Sequence, residues 1–272
     1  MPVARVTTKP NKIRFHAIGL FKQGSVTAQW VADSRPRHAE IEAAIDAAWV
    51  RAAARPGVNL FDGPMCRLES FAVTRTLELK ISPTSYKIFT GTNVANPLFA
   101  TRFGWASLAN PIGVSSALET RDGYLMLGQR NASVAYYPLR VHPFAGALEP
   151  SDSPDVFAEA RRELHEELAF SSKDILEIEC LGLAEDASLR QPELIFRVRS
   201  SRTRAQIEAT LDVTEHTGAI AVRAHADELA RLAADPSLTP VAVAAVLLVG
   251  RQVAGAPWFE EVSRPVTLAA HE

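Results

Sequence analysis

Two hydrophobic rhythms run along this chain. Ile41, Ile45, Ala48 and Trp49 recur at three- and four-residue spacing, which predicts a helix over about residues 37–55. Alternating apolar and polar positions over 66–74 and 77–81 predict strands. Two further alternating runs, 114–119 and 124–129, flank Arg121-Asp122-Gly123 and predict a hairpin. Strands are also expected at 178–183, 194–198 and 220–222, with helices at 156–169, 204–211 and 227–234. Thr203 precedes the second of these helices as a cap. The apolar run from 241 reads as a buried helix, with Thr239 as its cap and Pro240 at its first position; it is too short to span a bilayer. Pro97 and Gly104 punctuate a loop or short helix. A mixed sheet flanked by helices, the α/β class, fits this order. The chain divides near residue 107 into an N-terminal α+β region, 1–107, and a second domain, 108–272.

The helix expected at 156–169 carries the chemistry. Its run Arg162-Glu163-Leu164-His165-Glu166-Glu167-Leu168 packs three carboxylates into about one turn. Side chains three and four apart are neighbours on a helix, so Glu163, Glu166 and Glu167 share a face that Glu159 extends. Leu164 and Leu168 mark a separate apolar face. Clustered carboxylates repel unless something positive lies among them, and a divalent cation such as Mg²⁺ suits hard oxygen ligands and phosphate substrates. The alternative is a solvated acidic face. His165 reads as structural, and Arg162 as a group that orients the carboxylates by ion pairing.

The rest of the composition narrows the class. Net charge is −2, which points to no nucleic-acid or membrane partner. The two cysteines, Cys66 and Cys180, make neither a disulfide framework nor a zinc site and read as packed core thiols. The polar, basic stretch at 9–14 is no signal peptide, so a cytoplasmic protein is expected.

The acidic run resembles the signature of the Nudix hydrolases, G-x5-E-x7-R-E-U-x-E-E-x-G-U. Arg162, Glu163, Leu164, Glu166, Glu167 and Phe170 fill their slots, while Ala169 stands at the second glycine. The front half departs: Gly146, in a glycine turn, lies 16 residues before Arg162, and Pro154 occupies the first glutamate slot. Other stretches resemble the Nudix UDP-sugar hydrolases, namely Leu60-Phe61-Asp62, Arg67-Leu68, Thr84-Ser85-Tyr86 through Thr92-Asn93, and Asn110-Pro111-Ile112-Gly113. Pro192-Glu193-Leu194 and Glu215-His216-Thr217-Gly218 are similar too.

The resemblance implies a Nudix α/β/α sandwich with a mixed sheet, preceded by an N-terminal α+β extension. It implies hydrolysis of the diphosphate of UDP-glucose or UDP-galactose to UMP and a sugar 1-phosphate, with Mg²⁺ or Mn²⁺ as cofactor, by a monomer or homodimer. Glu163, Glu166 and Glu167 match the metal and catalytic positions. Phe61, Tyr86, Arg130, His142, Ala147 and Glu149 match positions that contact substrate, though His142 and Ala147 differ in residue type from the family pattern. Read from the residues alone, Phe61 and Tyr86 could be core aromatics, Arg130 a surface cation, His142 a loop histidine and Glu193 an exposed strand residue. Two other functions stay open: a Nudix pyrophosphatase acting on ADP-ribose, dinucleotides or coenzyme A, and a Nudix-like ligand sensor without catalysis.

Overall fold

A computed structural model describes residues 12–54, 60–212 and 214–268. Asn59 of the expected turn and the start of the chain through residue 11 lie outside the described residues. In chain order the elements are β1 (Ile13–Phe21), β2 (Val26–Trp30), α1 (Ala39–Ala53), β3 (Pro64–Val73), β4 (Leu77–Ser85), α2 (Tyr86–Phe89), α3 (Phe99–Phe103), β5 (Gly113–Glu119) and β6 (Tyr124–Arg130). There follow β7 (Val141–His142), β8 (Phe144–Ala147), α4 (Val156–Leu168), β9 (Ile175–Asp186), β10 (Gln191–Ser200), α5 (Arg204–Glu208), β11 (His216–Arg223), α6 (Ala226–Ala233), α7 (Pro240–Ala254) and α8 (Ala256–Ser263).

An eight-stranded mixed sheet forms the centre, in the order β1-β9-β10-β5-β6-β11, with β7 added to β6 and β8 to β5. Only β5 and β10 run parallel; the other pairs are antiparallel. Side chains alternate across such a sheet. On β10, Leu194, Phe196 and Val198 point to the face covered by α4, while Ile195 points to the face covered by α6 and α7. The α4 face gathers Val156, Phe157, Ala160, Leu164 and Leu168; Phe157 meets Phe196 edge to face at 5.1 Å. The other face takes α7, whose residues from Pro240 to Gly250 are all buried. Thr239 accepts a hydrogen bond from Ala242 N as the cap, and Pro240 opens the helix. The result is an α/β/α sandwich.

A second sheet, in the order β2-β4-β3, packs on the α4 side, and its Cys66, Leu68, Leu79 and Ile81 share that core. Backbone hydrogen bonds stitch β3 to the main sheet: Cys66 N donates to Leu148 O and Ile112 N to Cys66 O. Both cysteines are buried and free, and burial pushes each thiol up to about 12.

Three features differ from the sequence expectation. The strand β1 was not expected, although Ile13, Phe15 and Ala17 alternate with Arg14 and His16; these two polar residues are not on a solvated face but pair with buried Glu185 at 2.8 and 3.1 Å. It brings residues before 107 into the main sheet. The expected glycine turn around Gly146 is instead the strand β8, paired with β5. The helix α8, behind Gly255 at φ 88° and Pro257, had no periodic signal of its own.

The segment 84–93 anchors the molecule rather than only lining a site. After α2 the chain widens through Thr90–Val94, and Gly91 packs where a Cβ would strike the Ile45 backbone of α1. Asn93 and Asn110, both buried, hydrogen-bond each other: Asn110 N donates to Asn93 Oδ1 at 3.1 Å, and Asn93 Nδ2 to Asn110 Oδ1 at 3.3 Å. Arg67, fully buried, pairs with Glu69 and donates to the Leu108 carbonyl at 3.3 Å and to Ala106 O at 2.6 Å.

Candidate active site

The acidic helix begins where Asp155 accepts hydrogen bonds from Phe157 N and Ala158 N, at 2.8 and 3.2 Å. It ends at Ala169, in the left-handed conformation at φ 52°. Its amphipathic rhythm buries the apolar face in the core and turns the carboxylates toward β8. Glu159, Glu163 and Glu167, four apart, all face inward and are buried, whereas Glu166 stands exposed at the edge of the row. The four do not form one uniform face; Arg162 joins them. Its guanidinium hydrogen-bonds Glu159 and Glu163, donates to Glu166 at 2.6 Å, and lies 3.6 Å from Glu149. The orienting role read from the sequence matches this geometry. His165 sits outside, its ring nitrogen 2.9 Å from the Phe170 carbonyl oxygen.

The strand β8 makes the other wall. A Cβ on Gly146 would collide with the Glu163 carboxylate, so only glycine allows that approach. Ala145 N donates to Glu167 at 3.3 Å, and Glu149 N donates to Glu159 at 3.4 Å. Burial pushes the Glu163 carboxyl up to about 8 despite the neighbouring Arg162 cation, and the charge of Glu167 adds to the rise. Burial raises Glu167 as well.

Beneath β8, Glu167 is 3% exposed, and its Oε2 lies 3.3 Å from His216 Nε2 without an aligned hydrogen bond. Ligand atoms of Glu167, Glu215 and His216 all fall within 4.8 Å of one another. A buried carboxylate oxygen and both ring nitrogens of His216 therefore lack hydrogen-bond partners among the described residues. Buried polar atoms seldom stay unsatisfied. The donor set of Glu167, Glu215 and His216 fits a divalent cation. His216 and Glu215 were not singled out as ligands from the sequence; their adjacency on the way into β11 was the available signal.

Two connected spaces open from here. A cleft of about 1110 Å³ is lined by Phe61, Tyr86, Gly146, Ala147, Glu149, Arg162, Glu163 and Glu166. Phe61 is 75% exposed on its rim, so it is no core aromatic. A deeper pocket of about 220 Å³ shares Tyr86 and residues 145–147 with the cleft and adds Arg130, Tyr136, His142, Gln191 and Glu193. Arg130 lies over the Tyr136 ring, 5.0 Å from its centroid. The loop reading of His142 is corrected: it belongs to β7, is buried, and lies 2.8 Å from Thr239 Oγ1. Glu193 is likewise not exposed; it is 4% accessible and forms part of the deep pocket wall. The structure thus brings Phe61, Tyr86, Ala147, Glu149, Glu163 and Glu166 to the cleft and Arg130 and His142 to the pocket, with Glu167 just below.

A mixed sheet between helices, an Arg-Glu helix laid against a glycine strand and a cleft beside the carboxylates define a hydrolase of the Nudix type. The chain is 30% identical over 230 residues to the uridine diphosphate glucose pyrophosphatase NUDT22 of Bos taurus, covering 71% of this chain and 79% of that one. Against the Homo sapiens protein of the same name it is 30% identical over 275 residues, 87% of this chain and 89% of that one. The chain belongs to the NUDT22 family of Nudix hydrolases. Among solved structures it is similar to DR0079 from Deinococcus radiodurans, with a TM-score of 0.39 and 21% identity over 50% of this chain and 80% of that chain. No family profile matches the chain. No helix among the described residues is long and apolar enough to cross a membrane.

Proposed function

We propose that this protein is a Mg²⁺-dependent pyrophosphatase that hydrolyses the diphosphate of a UDP-sugar such as UDP-glucose, giving UMP and a sugar 1-phosphate. The observation that carries this reading is Glu163, buried against Gly146 and opening on a cleft whose rim carries Phe61, with buried Glu167 one helical turn further on. NUDT22 relatives that span most of the chain support the substrate class.

Glu163 and Glu167 would hold the cation, with Glu215 and His216 close enough to complete its coordination. A bound Mg²⁺ supplies neutralisation of the diphosphate oxygens and acidifies an attacking water. The chain's own groups do the rest. Arg162 fixes the spacing of the carboxylates, so that they neither splay apart nor rotate away. Glu166, exposed at the cleft, accepts the proton of the attacking water. Arg130 pairs with phosphate oxygens, for which a planar guanidinium is well shaped. Phe61 and Tyr86, both from the N-terminal region, wall the nucleoside, and Ala147, Glu149 and His142 border the remaining substrate.

Purified protein with Mg²⁺ and UDP-glucose should release UMP, and Glu167→Gln should not. Release from ADP-ribose or coenzyme A in preference to UDP-sugars would overturn the substrate assignment, and no release from any of them would overturn the catalytic one.

A further inference from the structure

The loop after β6 is tied down at its base and holds a costly backbone beyond it. Asn131 N donates to Glu215 O at 3.0 Å, and Arg130 N closes the base by donating to Arg140 O at 3.0 Å. Within the loop, Tyr137 and Leu139 both take left-handed conformations, at φ 51° and 63°. Residues with a Cβ hold that conformation only where the surroundings offset its cost. The offset at Tyr137 is its hydroxyl, which donates to Asp186 Oδ2 at 2.7 Å. Asp186 is 2% exposed and ends β9. Its other oxygen accepts from Ser188 N at 2.7 Å and Leu189 N at 3.3 Å, which fixes the turn into β10. Asn93 Nδ2 donates to Leu189 O at 3.0 Å and Trp105 Nε1 to Arg190 O at 3.3 Å, so the N-terminal region braces the same turn.

What this anchor carries is the preceding residue. The rings of Tyr136 and Tyr137 stand edge to face, 5.9 Å apart, and Tyr136 lines the deep pocket. There its ring meets Phe89 edge to face at 5.7 Å, and the Arg130 guanidinium lies over it, 5.0 Å from its centroid. Arg130 has little else to fix its direction. Its Nε is buried without a hydrogen-bond partner among the described residues. Glu193, the buried acid of the same pocket wall, accepts from Ser115 Oγ at 2.5 Å instead. A guanidinium is attracted to an aromatic face, and stacking there sets the plane in which its fork of donors lies. We infer that Tyr137, fastened to Asp186, is a positioning residue: it holds Tyr136 beneath Arg130 and so aims that guanidinium at the diphosphate. This rests on the assignment of Arg130 to the diphosphate.

The test is a double-mutant cycle on UDP affinity, read by calorimetry in Mg²⁺ with Tyr137→Phe, Arg130→Ala and the two combined. Tyr137→Phe keeps the ring and removes only the bond to Asp186, and thermal melting confirms that each variant folds. It should weaken UDP by about fivefold or more, within what a lost hydrogen bond to a charged group can supply. Added to Arg130→Ala, the same substitution should cost about twofold or less, because no guanidinium is left to aim. Amide exchange over residues 132–137 should quicken in both backgrounds, which shows the anchor broken. Equal weakening with and without Arg130 would overturn the inference, because Tyr137 would then act on the fold and not through the guanidinium. No weakening by Tyr137→Phe alone would overturn it too. Wild-type protein that ignores UDP, or binds it equally well after Arg130→Ala, would instead bring down the assignment of Arg130 to the diphosphate, and this role with it.

Discussion

Single residues carry two opposite kinds of cost here. Ala169 closes α4 at φ 52°, a conformation in which its Cβ meets the carbonyl that follows. The family signature places glycine at that slot, and Ala169→Gly should raise stability by about 0.5–1 kcal/mol in denaturant melts, without altering the carboxylates one turn away. Gly146 is the reverse case. Gly146→Ala drives a methyl group into Glu163, so turnover should fall by about a hundredfold or more while the melting temperature moves little. Measuring both quantities on both variants separates the two effects. Glu69 links residue chemistry to pH. Burial would raise its carboxyl, but hydrogen bonds from Arg67, Ser34 and Ser82 hold it down to about 2 against a usual 4.5. A group depressed in this way stabilises the fold above its unfolded value, and the contribution is lost as pH falls from 4.5 through 2. Glu69→Gln should therefore melt lower at neutral pH and show a flatter acid limb across that interval.

At the scale of elements, α4 was legible because two independent patterns coincide on it. Leu164 and Leu168 follow the helical period that buries them, and the carboxylates follow the same period a third of a turn away. Leu164→Ala should cost about 2–5 kcal/mol, since the residue is fully buried against the sheet, and its loss would loosen the glutamates as well. The cation offers a check of the element as a unit: Mg²⁺ should raise the melting temperature of the wild type, and Glu163→Gln should abolish the shift. The hairpin β5–β6 was equally legible, with Gly123 at φ 84° in its turn. β1 was missed although Ile13, Phe15 and Ala17 alternate with Arg14 and His16, and nothing local shows that these polar side chains meet the buried Glu185 of another strand. Glu193 was misread for a related reason. A glutamate within a strand ordinarily faces water, and nothing local announces that Gly113 of another strand has left space for it.

Across the whole molecule, the resemblance pointed to the acidic helix α4 but not to how the cleft beside it is enclosed. That depends on long-range placements, with β3 hydrogen-bonded to the segments flanking β5 and β8, and α2 held where Tyr86 reaches both spaces. Period and propensity report on neighbours along the chain and are silent on such contacts. They come from the core that both sheets share on the α4 side.

The margin of the large sheet has a consequence for how the polypeptide is made. Ile13 N donates to Val266 O at 3.0 Å, and Leu268 N to Ile13 O at 2.8 Å. Earliest in the chain among the described strands, β1 therefore waits for β9 and, at its leading residue, for a segment some 250 positions later. Until then its edge is open to other chains, and translation at about 5–20 residues per second leaves it so for ten seconds or more. Deleting residues 266–268 should prolong that exposure into the finished protein, read as faster amide exchange at the start of β1.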